Sequence, residues 1–152
     1  MRAYIESILD CPAESAWAEV TTPRLLEEVM WPLLRLVPRS GSQFPARWQG
    51  GQTVVGQAYA MSILPLGLHR LRFEWVDPQR RQIQTRETNR WVRVWDHLIS
   101  VREAPGGRTR YSDEIEIHAG PLTPLVWLFA NCFYRHRQRR WRRVARRLAK
   151  GV

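Results

Sequence analysis

The spacing of apolar positions changes character twice along this 152-residue chain. Tyr4 to Leu9 reads as a first strand, and Asp10-Cys11-Pro12 stops it. Proline is tolerated at the first helical position, where its missing N–H would have no partner, so a short helix is expected over Ala13 to Val20. Thr22-Pro23 repeats that start signal with Thr22 as N-cap, and Leu25, Leu26, Val29 and Met30 supply the apolar face of a second short helix. Leu33 to Val37 suits a strand. Pro38 to Gln52, rich in Gly, Pro and Ser around Phe44 and Trp48, has loop composition.

From Thr53 the period becomes two. Val54 to Met61, Leu68 to Val76, Ile83 to Thr88, Trp91 to Arg102 and Thr109 to Ile117 read as strands, with Pro65-Leu66-Gly67, Asp77-Pro78 and Pro105-Gly106-Gly107 as turns between them. Leu71, Phe73 and Trp75 alternate with Arg70, Arg72 and Glu74, so that strand buries one face and wets the other. Gly120-Pro121 ends the series. Thr123-Pro124 then opens a helix with no breaker before Gly151, about 26 residues or roughly 39 Å. One helix of that length cannot pack on itself, and a curved antiparallel sheet has a concave face to cover. The order predicts an α+β grip in one domain, 1–152: a sheet of about six to seven strands wrapped on a long C-terminal helix, with two short helices after the first strand.

Composition narrows the class without changing this picture. With 44% hydrophobic and 25% charged residues the chain can bury a sizeable core. Cys11 and Cys132 lack metal or redox spacing, and acids interrupt the N-terminal stretch where a leader would be apolar, which suggests a cytoplasmic protein with free thiols. The charge is uneven. The last acid is Glu116, and residues beyond it carry nine of the ten net positive charges.

The element order, the segment Asp10-Cys11-Pro12-Ala13-Glu14-Ser15-Ala16-Trp17, the Gly120-Pro121-Leu122-Thr123-Pro124 helix entry and the helix segment Phe133-Tyr134-Arg135-His136-Arg137-Gln138-Arg139-Arg140 together resemble the START-like, or SRPBCC, superfamily. Arg93-Val94-Trp95-Asp96-His97 and Tyr111 to Ile117 look like segments of its small bacterial members. That group includes polyketide cyclases and dehydratases, coenzyme Q-binding proteins and lipid-transfer proteins. The resemblance spans essentially the whole chain and implies an apolar cavity between sheet and long helix. Its motifs are fold signatures, so it implies no particular reaction.

Within the pattern one polar group calls for an explanation. On Thr109 to Ile117, Asp113 falls on the inward face with Tyr111, Ile115 and Ile117. On the strand before, Trp91, Arg93, Trp95, His97 and Ile99 share a face, so the turn at Pro105-Gly106-Gly107 can bring Arg93 or His97 to Asp113. An inward acid beside an inward base serves general acid–base work or anchors a polar ligand head, and equally serves as a structural ion pair. A register shift of one would turn Asp96 inward instead. The expected cavity wall comprises Trp31, Tyr59, Phe73, Trp75, Trp91, Trp95 and Tyr111 with Val126, Phe129 and Phe133 of the long helix, and the polar end comprises Arg93, His97 and Asp113. His97 and Asp113 are the candidate catalytic pair. His69, His97, His118 and His136 lack metal-ligand spacing, and no nucleotide or nucleophile-elbow motif is present, so neither metal nor cofactor is expected.

The long helix divides into an apolar first half and a basic second half. Val126, Phe129 and Phe133 continue into Trp141, Val144 and Leu148 as one stripe. Leu125, Leu128 and Cys132 lie off it and need another neighbour: the loop around Phe44 and Trp48, a second copy in a homodimer, or a membrane surface. The Arg-rich end is read first as a solvated helix terminus, where cations are favoured. Weak anionic-membrane contact is the alternative, with nucleic acid ranked below it for want of a groove-reading motif. The leading functional expectation is a carrier or binder of a hydrophobic small molecule; the rival is a cofactor-independent cyclase or dehydratase.

Overall fold

The computed structural model describes residues 1–39 and 42–151. Strand β1 (Arg2–Leu9) alternates exposed and buried positions along its length and gives way to helices α1 (Ala13–Val20) and α2 (Pro23–Met30). Both begin where the proline signals place them, and Thr22 Oγ1 caps α2 by accepting from the Leu25 N–H at 3.3 Å. Strands β2 (Leu34–Pro38), β3 (Thr53–Ala60), β4 (Leu64–Asp77), β5 (Gln82–Asn89), β6 (Val94–Ala104) and β7 (Arg108–His118) follow, then helix α3 (Thr123–Ala149). The seven strands form one antiparallel sheet in the order β1-β7-β6-β5-β4-β3-β2. This is the helix-grip arrangement of the α+β class: α3 lies over β1 and β7, and α2 packs against α3.

Two apolar clusters fill the space between helix and sheet. One joins α1, α2, Trp48 and the C-terminal half of α3 to β4–β7; the other joins Met30, Leu36, Val92 and Trp95 to Ile115, Ile117, Phe133 and Tyr134. The loop before β3 is drawn into the first cluster, with Trp48 stacked on Phe73 at 4.6 Å and Phe44 edge-on to Trp48. It therefore does not cover the off-stripe face of α3, where Leu125 and Leu128 are 66% and 56% exposed. No helix is long and apolar enough to cross a membrane among the described residues.

Three local irregularities overturn sequence expectations. Pro65-Leu66-Gly67 is not a turn. The chain reverses at Met61 and Ser62, both at positive φ, and the proline–glycine segment lies inside β4, where Leu66 is the extra residue of a bulge that pairs Ala58 with Gly67 and Tyr59 with Pro65. A second bulge, between Phe73 and Trp75, inserts Glu74 opposite β5. Finally, β6 begins at Val94 rather than Trp91, because the Asn89 side chain accepts from the N–H groups of Trp91 and Val92 and holds a turn there.

Candidate functional site

A cavity of about 290 Å³ lies between the sheet and α3. Its floor comes from the inward faces of β4–β6: Leu71 and Phe73, then Ile83, Thr85 and Glu87, then Trp95, His97 and Ile99. Its roof is the α3 stripe from Val126 through Phe133, Tyr134 and Arg137 to Trp141, and Leu66, Trp91, Leu125 and Phe129 stand around the entrance. Leu25, Val29 and Met30 of α2 close one side. Nearly all of the wall is apolar. Apart from the exposed Arg35 on β2, its charged and polar groups come from His69, β5, His97 and the α3 pair Arg137 and Gln138.

Of the expected wall residues, Phe73, Trp91, Trp95, His97, Tyr111, Val126, Phe129 and Phe133 line the cavity. Four do not. Trp75 points away from it because the bulge at Glu74 reverses the parity of β4: Phe73 is opposite Thr85 on the inward face, whereas Trp75 is opposite the outward Gln84. Tyr59 follows the inward Ala58 on β3 and is half-buried outside the cavity lining. Trp31 caps the C-terminus of α2 half exposed, with its carbonyl accepting from His136 Nε2 at 2.9 Å. Arg93 is exposed at the Asn89 turn, where Val92 takes the inward position instead. Asp96 is on the outer face, paired with Arg86.

Asp113, which has no solvent exposure, is the centre of the polar base. Its Oδ1 accepts from His97 Nε2 at 2.8 Å and from the Tyr111 hydroxyl at 3.0 Å, and its Oδ2 accepts from Gln138 Nε2 at 2.9 Å. The same Gln138 amide donates to the Ile5 carbonyl at 2.7 Å, pinning α3 across β1 and β7. Burial alone would raise the Asp113 carboxyl. The His97 bond, the nearby Arg137 charge and the Gln138 bond outweigh it and leave the group below its ordinary value. Burial likewise works against a charged His97, yet the bond to Asp113 and the facing Glu87 raise its basicity. His97 is therefore held as an imidazolium more readily than a free histidine.

A second carboxylate, absent from the sequence reading, completes the base. Glu87 Oε2 accepts from His69 Nε2 at 2.8 Å and Oε1 accepts from the Thr85 hydroxyl at 3.0 Å, while His97 Nδ1 stands 3.9 Å away. Burial opposes its charge, but His69 and His97 hold it below the ordinary carboxylate range. Asn89 Nδ2 donates to His69 Nδ1 at 3.4 Å, leaving Nε2 to carry the proton toward Glu87. Tyr134 completes the enclosure, accepting from Trp95 Nε1 at 3.1 Å, with its ring 4.8 Å from that of His97.

Arg137 is the other residue missed. Counted with the basic tail, it belongs instead to the buried stripe of α3, one turn after Phe133 and one before Trp141, and is only 7% exposed. Its position on that stripe was the available signal, since a charged residue at an apolar phase of a helix marks either a solvated end or a site. Gln138 carries the same signal. Among the described residues no cluster of His, Cys, Asp and Glu is arranged to hold a metal.

The comparisons with known proteins agree with the fold and go no further. A family model described as Domain of unknown function (DUF8410) matches residues 7–145. No curated protein matches the sequence. Among solved structures, protein MLL2253 from Mesorhizobium loti superposes with a TM-score of 0.74 at 14% identity, covering 97% of this chain and 98% of its own. A START superfamily protein from Mycobacterium smegmatis gives 0.72 at 12% identity over the same shares. TTHA0849 from Thermus thermophilus gives 0.67 at 13%, over the whole of both chains. The chain has the START-like helix-grip fold.

Proposed function

The chain belongs to the family described as Domain of unknown function (DUF8410), and from its own cavity we propose that it binds a hydrophobic small molecule between the sheet and α3. One observation carries this reading. A mostly apolar cavity leads from an entrance flanked by Trp91, Leu125 and Phe129 to one compact polar base at Glu87, His97 and Arg137. Such a gradient orients an elongated or flat ligand, apolar body outward and polar head inward. The START superfamily protein with the same fold supports a ligand-holding role by analogy.

The neutral dye N-phenyl-1-naphthylamine tests the cavity. Ala58 lines it from β3, and Ala58→Phe would place a ring inside it. Wild-type protein is expected to bind the dye with enhanced fluorescence, and Ala58→Phe to bind it at least about tenfold more weakly at equal stability. Equal binding by both proteins would overturn the reading. Native mass spectrometry of protein from its own host would then identify any retained molecule.

A second reading, a cofactor-independent cyclase or dehydratase, has one observation in its favour: His97 lines the cavity and is backed by a buried carboxylate at 2.8 Å. That is the geometry of an oriented acid–base group. Loss of turnover in both His97→Gln and Asp113→Asn, with the fold intact, would select it over the carrier reading.

A further inference from the structure

We propose that the ligand of this cavity carries an acidic head, a carboxylate or an equivalent oxyanion, and that Arg137 receives it. The inference rests on the cavity-binding reading above and names the chemical class of its ligand. Its basis is an accounting of donors and acceptors at the polar base. Both carboxylates there are already engaged. Asp113 accepts from His97, Tyr111 and Gln138, and Glu87 accepts from His69 and Thr85. Arg137 is the opposite case. Its side chain lines the cavity, its Nε is buried without a hydrogen-bond partner, and among the described residues it forms no ion pair within 4.0 Å. What it touches is aromatic: its Cζ lies 4.9 Å from the centre of the Tyr134 ring and 5.8 Å from that of Phe133.

Cation–π contact with the Tyr134 ring, and a longer one with Phe133, holds the guanidinium in place without using its N–H groups. A buried, oriented and unspent donor fork is costly unless something accepts from it. A carboxylate or an equivalent oxyanion matches the fork with two parallel bonds, which neutral and cationic heads do not. A cationic head would face the same Arg137 charge, and a hydrocarbon end would leave the donors unpaired. The stem of Arg137 sits on the helix face that Phe133 and Trp141 share, so an apolar body lying along α3 brings its terminus to this point.

The test compares 1-naphthaleneacetic acid with its neutral amide at pH 7 by calorimetric titration, in wild type, Arg137→Gln and Arg137→Lys. Wild type is expected to prefer the acid about tenfold or more. Arg137→Gln should lose that preference, binding acid and amide with affinities within about twofold of each other. Arg137→Lys, which keeps the charge and loses the fork, should retain a reduced preference, and it serves as the reporter if the Gln variant does not fold. Equal wild-type affinity for acid and amide overturns the acidic-head inference while dye binding keeps the cavity reading. An acid preference that survives in Arg137→Gln overturns the assignment to Arg137. Failure of all three probes overturns the cavity reading itself.

Discussion

His97 reaches Asp113 diagonally: Ile99, not His97, is opposite Asp113 in the β6–β7 register, and the imidazole spans one pair along to place Nε2 2.8 Å from Oδ1. The contact joins two strands on the buried face, where neither group has water to fall back on. Removing the carboxylate therefore leaves His97 Nε2 and the Tyr111 hydroxyl without an acceptor and Gln138 with the Ile5 carbonyl alone.

Asp113→Ala is expected to destabilise the protein by about 3 kcal/mol, the usual consequence of stripping one partner from a buried ion pair. Asp113→Asn keeps an acceptor in the same place and should cost less. Urea unfolding at pH 6 measures both, and a loss below about 1 kcal/mol for the alanine variant would show that the pair is not needed for folding.

The same pair sets a pH window. Asp113 is depressed below its ordinary value of 3.8, so its contribution is complete above that value and is lost as pH falls through the lower folded one. His97 is raised above its ordinary value of 6.5, so its contribution is complete below 6.5 and is lost as pH rises through the higher folded one. Glu87 acts on the acid side with Asp113. The stability difference between wild type and His97→Gln should form a plateau between about pH 4 and 6.5 and shrink above it. A difference that is flat to pH 9 would mean that the imidazolium contributes nothing.

Parity makes a third prediction. Phe73 and Trp75 look equivalent in sequence, yet the bulge at Glu74 puts Phe73 under Trp48 and Trp75 on the outer face. Phe73→Ala should cost about 3–5 kcal/mol, and Trp75→Ala under about 1 kcal/mol. Similar losses, read by thermal or denaturant unfolding, would place both rings in the core.

These cases mark what the sequence could and could not show. Period-two alternation turned Asp113 and His97 inward because no irregularity separates either from the turn at Pro105-Gly106-Gly107, and the proline start signals placed α1 and α2. Tyr59 was set on the wrong face of β3, where alternation from Gly56 and Ala58 already turns it away from the cavity. Alternation itself failed at Trp75 and Arg93, where a single added residue and an Asn-held turn reset which side faces in, and composition gives no sign of it. Glu87 lay on a strand to which no inward face was assigned, although Ile83 and Thr85 share its side. Arg137 was obscured by its neighbours. Among so many arginines, only the phase of the helix separates one that enters the core from those that face solvent.

That distinction also reshapes the basic end of α3. Arg137 is inside the protein, Arg140 Nε donates to the Glu28 carbonyl at 2.7 Å, and Arg147 pairs with the Glu28 carboxylate, so these three serve the fold by tying α3 to α2 or lining the cavity. Arg139, Arg142, Arg143 and Arg146 are exposed. A cluster of this kind attracts any anionic surface at low salt, and at about 150 mM, where screening acts over roughly 8 Å, only close and organised contacts persist. Vesicles of phosphatidylcholine with phosphatidylserine should therefore bind wild type at low ionic strength and release it at about 150 mM salt. Replacing these four arginines with Gln, with Arg135, Arg147 and Lys150 left in place, should weaken the low-salt binding and leave unfolding within about 0.5 kcal/mol per site. Including Arg140 in the set should add a separate stability loss, because its bond to Glu28 is removed as well. Wild-type binding that persists at about 150 mM and disappears in the fourfold variant would make the helix end a functional surface in its own right.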